Sequence, residues 1–198
     1  MAKIFVSYRR TDSEGYAGRI WDRLTSQFGP DGVFMDVDSI DPGADFPSVL
    51  SKALSDSYVL IAVVGQNWLG PKTDGTFRLN APGDFVRQEI QTAIEKKITI
   101  IPLLVAGAKM PLPQELPEEL IMFPNFNAVE IRHTKFDTDM AGLIQALETL
   151  LHDYELRRLQ ANSGEELQEQ PPSRETRKFL RQLLGEPKGI GRLIFGPW

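Results

Sequence analysis

Tyr58 to Val64 is an unbroken apolar run, Tyr-Val-Leu-Ile-Ala-Val-Val, with no charged side chain to turn toward solvent. A strand of that composition must be covered on both faces, which is the condition of a central strand in a parallel sheet flanked by helices. The run Ile4-Phe5-Val6 reads the same way on a smaller scale and leads into a charged loop, Ser7-Tyr8-Arg9-Arg10-Thr11-Asp12. Open parallel sheets hold their ligands outside the carboxyl ends of the strands. The loop from Ser7 to Asp12 lies at such an end, so function is sought there first.

Between and after these runs, strands and helices alternate. A helical pattern covers Glu14 to Phe28, with Tyr16, Ala17, Ile20, Trp21, Leu24 and Phe28 apolar, Ser13 or Asp12 as its cap, and Gly29-Pro30 as its stop. Val33-Phe34-Met35 is a short strand, followed by a loop from Asp36 to Asp45 and a helix from Phe46 to Leu54. Asp84 caps a helix through Lys97, Ile98 to Val105 forms a fourth strand, Ala128 to Ile131 a fifth, and a last helix begins near Asp137. The expected fold is α/β: a flavodoxin-like, doubly wound, five-stranded parallel sheet of order 2-1-3-4-5 with helices on both faces. Right-handed crossovers gather the loops after the first three strands around one crevice. Residues 1–155 form the expected domain. Residues 156–198 read as a linker with a short amphipathic tail (Phe179, Leu180, Leu183, Leu184), either a docking segment for a partner or the stump of a further domain.

Composition removes several classes of function. The chain has 198 residues and no cysteine, so disulfides, thiolate metal sites and a cysteine nucleophile are absent. Two histidines, His133 and His152, are too few for a histidine cage, and no metal is expected. A net charge of -5 disfavours a nucleic-acid surface. The longest apolar run is too short to span a bilayer. Lys3 and Arg9-Arg10 bracket only a strand-sized apolar segment, unlike a signal peptide. The expected location is the cytoplasm, with no membrane contact.

One side chain breaks the pattern of its own helix. At 100° per residue, Phe85, Val86, Ile90, Ala93 and Ile94 share a broad apolar face, while Arg87, Gln88, Gln91 and Glu95 point away from it. Glu89 falls between Phe85 and Ala93, at the edge of the apolar stripe, where a carboxylate needs a compensating partner. It is either a salt-bridge partner of Arg9, Arg10 or Arg78, or a functional acid facing the crevice. No G-x-G-x-x-G follows a strand, so a Rossmann cofactor site is excluded. A phosphoacceptor receiver domain of the same topology needs an aspartate where the third strand ends, but the chain there reads Val64-Gly65-Gln66-Asn67.

Four segments in register, Lys3 to Asp12 (KIFVSYRRTD), Val33 to Phe46 (VFMDVDSIDPGADF), Tyr58 to Leu69 (YVLIAVVGQNWL) and Asp84 to Ile90 (DFVRQEI), resemble a Toll/interleukin-receptor (TIR) domain of the bacterial type over about residues 1–150. The resemblance implies NAD+ cleavage, to nicotinamide plus ADP-ribose or a cyclic isomer, or a non-catalytic adaptor role through TIR-TIR contacts. The family's essential glutamate follows an aromatic by four residues in a Trp-x-x-x-Glu pattern. Here that pattern is Phe85-Val86-Arg87-Gln88-Glu89, with Phe85 in place of tryptophan, so the resemblance assigns the catalytic role to Glu89.

By the same resemblance, Ser7, Tyr8, Arg9, Asp12, Asp36 and Phe85 are the substrate-binding candidates: Tyr8 stacking on a base or on nicotinamide, Arg9 or Arg10 meeting the pyrophosphate. Ile40, Pro42, Gly43, Asp45 and Phe46 belong to a gating and assembly loop. NAD+ would be a substrate rather than a cofactor, and self-association would complete the site. Trp68 reads as a packing residue, and Met110-Pro111-Leu112-Pro113 as a rigid loop. Bacterial antiviral defence is the biological use that the family implies.

Overall fold

All residues of β1 (Ile4–Tyr8) and β3 (Val59–Val64) are buried, as their apolar runs require. The two strands pair in parallel from Ile4↔Val59 to Tyr8↔Val63 and form the centre of the sheet. The computed structural model describes residues 3–35, 52–162, 176 and 178. Around the central pair lie α1 (Arg10–Phe28), β2 (Val33–Met35), α2 (Phe85–Glu95), β4 (Thr99–Val105), β5 (Val129–Ile131) and α3 (Phe136–Asn162), with short 3-10 turns in several of the connections. The sheet has five parallel strands in the order β2-β1-β3-β4-β5, the expected topology.

Alternation along the strands divides the core in two. Ile4, Val6, Tyr8, Ile61, Val63 and Leu103 pack with α1 and α3 on one face. Phe5, Leu60, Ala62, Val64 and Ile100 pack with Val86, Ile90 and Ala93 of α2 on the other, together with Trp68, whose ring stacks on Phe123 at 4.9 Å between centroids. Pro102 lies inside β4, where a proline normally argues against a central strand. It is tolerated because pairing with β5 begins only at Leu103, so β4 still has an edge at Pro102.

Two boundaries differ from the sequence reading. The helix expected from Glu14 begins at Arg10, and Ser13 interrupts it with φ −134 and ψ 20. The regular run therefore does start beyond Ser13, but neither side chain caps it: Ser13 Oγ has no hydrogen-bond partner among the described residues and Asp12 binds the Gly65 and Asn67 amides, while the N-cap of the whole element is Arg9, without a side-chain bond. The division expected at residue 155 falls inside α3, which continues to Asn162. Its last turns belong to the body of the protein. The ring of Tyr154 stacks on Tyr58 at 5.1 Å, its hydroxyl bonds to Thr99 Oγ1 at 2.6 Å, and Lys3 pairs with Glu155. Tyr58, Thr99 and Lys3 mark the amino ends of β3, β4 and β1, so this end of α3 closes the bottom of the sheet. Thr176 is buried there too, donating to Asp153 Oδ1 at 3.2 Å. No helix among the described residues is long and apolar enough to cross a membrane.

Candidate active site at the carboxyl end of β1

Period two sends Ser7 to the same side of the sheet as Phe5, toward α2. Period 3.6 puts Glu89 on the buried face of α2 with Val86, Ile90 and Ala93. The two meet: Ser7 Oγ donates to Glu89 Oε2 at 2.5 Å. Ser7 is 0% exposed and Glu89 1%, so the acid lies deeper than the stripe edge expected from the helical wheel. A carboxylate in surroundings of low dielectric interacts with a neighbouring cation or hydroxyl far more strongly than one in water.

The start of α2, and with it the position of Glu89, is fixed by a buried ion pair. Arg9 donates through Nη1 to Asp84 Oδ2 at 2.9 Å, through Nη2 to Asp84 Oδ1 at 3.0 Å, and through Nε to the carbonyl of Trp68 at 2.7 Å. Asp84 is also the N-cap of α2, accepting from the Arg87 amide at 3.1 Å. The bidentate fork is the geometry for which guanidinium and carboxylate are matched. Gly70 makes room for it: at φ +67 a Cβ would lie 2.8 Å from Arg78 Cβ and 3.2 Å from Arg9 Cζ. Arg87 then ties α2 outward, to the Asn80 carbonyl and to both carboxylate oxygens of Glu119.

A second clamp joins the first turn of α1 to the loop after β3. Asp12 accepts from the Gly65 amide at 2.9 Å and from the Asn67 amide at 2.7 Å. A Cβ at residue 65 would lie 2.4 Å from Asp12 Oδ2, so any larger residue there has to push the carboxylate out of this position.

The expected site residues therefore separate. Ser7 and Glu89 are in contact. Arg9, expected at a pyrophosphate, has its guanidinium committed to Asp84 and Trp68 and is 4% exposed. Asp12 is bound to backbone amides. Tyr8 is 5% exposed within the core between the sheet and α1 and α3, on the face opposite Glu89, because alternation turns it away from Ser7. Phe85, placed on the apolar face by the helical wheel, is instead 46% exposed. It opens the first turn of α2, directly after the Asp84 that Arg9 holds, and stands one turn before Glu89. Asp36, Ile40, Pro42, Gly43, Asp45 and Phe46 lie outside the described residues.

Sequence reasoning recognised Asp84 as a cap and missed it as the partner of Arg9. An aspartate cap and an arginine beside a strand end were both visible, but not that they meet. The Trp68 carbonyl leaves no mark in sequence.

The sequence matches the family described as the TIR domain over residues 4–147. Among curated proteins it is similar to the NAD(+) hydrolase SARM1 of Danio rerio, at 28% identity over 145 residues. That stretch is 73% of this chain but 19% of the relative's length. Among solved structures it is similar to the TIR domains of the activated Roq1 resistosome directly recognizing the pathogen effector XopQ, at 17% identity and a TM-score of 0.44, covering 71% of this chain and 74% of that one. A metazoan TIR-STING receptor from C. gigas in complex with 2',3'-cGAMP is similar at 18% identity and a TM-score of 0.47, covering 70% of this chain and 38% of that one. The match over residues 4–147 takes in all five strands and the helix that carries Glu89, and the chain belongs to the TIR domain family.

Proposed function

We propose that this chain cleaves NAD+ at the bond between nicotinamide and ribose. The observation that carries the proposal is the buried Glu89 carboxylate, held by Ser7 at the carboxyl end of β1. Similarity to a relative named as an NAD(+) hydrolase supports the same chemistry. As the bond from ribose C1′ to the pyridinium nitrogen breaks, its electron pair goes to the nitrogen and nicotinamide leaves neutral, so no general acid is needed. The ribose is left with oxocarbenium character, as in glycoside hydrolysis. Glu89 holds the ribose hydroxyls and stabilises that positive charge. Water adding to C1′ gives ADP-ribose and a proton; attack by a nucleophile within the ADP-ribose gives a cyclic isomer and a proton.

With Glu89 1% exposed, substrate reaches it only after the site opens. That suits an enzyme activated by self-assembly through TIR-TIR contacts, with the loop from Ile40 to Phe46 at the junction. We place its biological use, by family resemblance, in bacterial antiviral defence.

The test is mass-resolved product analysis of NAD+ incubated with concentrated protein, beside Glu89→Ala and Glu89→Gln. The expected result is nicotinamide release that both substitutions abolish while each variant still melts cooperatively. An absence of turnover by the unaltered chain at high concentration points instead to a non-catalytic adaptor.

A further inference from the structure

We propose that Ser7 is a positioning residue for Glu89 rather than a contact to substrate. The inference rests on the NAD+-cleaving reading and goes beyond it, to how the acid is held. Ser7 is 0% exposed, its hydroxyl is within 2.5 Å of Glu89 Oε2, and its Cα pairs with Ala62 in the middle of the sheet. The one O–H of that side chain is spent on the acid, so it is not free to donate to a dinucleotide.

A glutamate side chain has three rotatable bonds, and its carboxylate acts on a ribose only when it is aimed at it. The donor on β1 holds Oε2 and so narrows the positions open to the second oxygen. Both ends of the bond are anchored: Ser7 by the pairing of β1 with β3, and Glu89 by the Arg9–Asp84 fork that fixes the start of α2. Ser7 thus acts through Glu89, and its loss lowers turnover without weakening substrate binding.

Steady-state kinetics of nicotinamide release separates the roles, measured for the unaltered chain, Ser7→Ala, Ser7→Thr and Glu89→Gln. For Ser7→Ala, kcat falls by about 10- to 100-fold, the worth of one hydrogen bond to a charged group, while KM changes little. Ser7→Thr, which keeps the hydroxyl, restores most of kcat. Should Ser7→Ala melt, Ser7→Cys carries the same comparison, close in volume and a weaker donor. A raised KM with unchanged kcat would make Ser7 a substrate contact and overturn the proposal. So would release lost in Glu89→Gln but intact in Ser7→Ala, and that pattern would leave the NAD+ reading standing. An unaltered chain that releases no nicotinamide sinks the NAD+ reading itself and this proposal with it.

Discussion

Arg9 has three of its nitrogens bonded inside the fold, two to Asp84 and one to a backbone carbonyl, and this makes it the residue whose loss is felt most widely around the site. Removing one member of a buried ion pair leaves the other charged and unsolvated. Arg9→Ala is therefore expected to cost about 3–5 kcal/mol of stability, read by urea denaturation. Arg9→Lys keeps the charge but loses the fork, and it is expected to fall between the two, since an ammonium is a point donor rather than a planar one. Near-native stability of Arg9→Ala would show that the pair does not hold the start of α2. At this scale the sequence disclosed which residues are unusual and not what they touch. Glu89 stood out because an acid on an apolar stripe breaks a period. Arg9 and Asp12 looked equally available for a ligand, because their partners are an aspartate 75 positions away, a carbonyl and two amides.

Elements were legible where a period repeats and illegible where one element runs past another. The buried face of α2 followed from its 3.6 period. Phe85 escaped that logic because a helical wheel does not say where the sheet ends. The last helix was cut short for a similar reason: its polar residues beyond Tyr154 resemble a linker, yet Arg158 donates to the Tyr58 hydroxyl at 3.2 Å and Glu155 pairs with Lys3. Tyr154 locks this end of α3, and burial raises the pKa of its phenol above the ordinary 10.0. Because the fold favours the neutral phenol, the unfolded chain gives up that proton first. The stabilisation from Tyr154 is complete below pH 10.0 and is lost as pH rises through the folded value. Urea midpoints from pH 9 to about 11 should thus fall more steeply for the natural chain than for Tyr154→Phe. At neutral pH, Tyr154→Phe should cost about 1 kcal/mol for the bond to Thr99. Equal alkaline slopes would remove Tyr154 from the account.

For the molecule as a whole, topology was the most legible level. Alternating strands and helices with right-handed crossovers leave few sheet orders open, and the one expected is the one found. Assembly belongs to the same level, because under the proposed function a neighbouring copy opens the site. Specific nicotinamide release is expected to rise with protein concentration and to track the oligomer seen by light scattering. Full turnover by a scattering-verified monomer would refute the link between assembly and activity.

The Asp12–Gly65 clamp also bears on the order in which this sequence can change. A methyl group at residue 65 collides with the carboxylate while Asp12 is present, but has no such obstacle once Asp12 has become a smaller side chain. The two sites are therefore epistatic: alanine at 65 costs Asp12 its two amide bonds while the aspartate is present and costs neither once it is gone, so drift is biased toward the aspartate changing first.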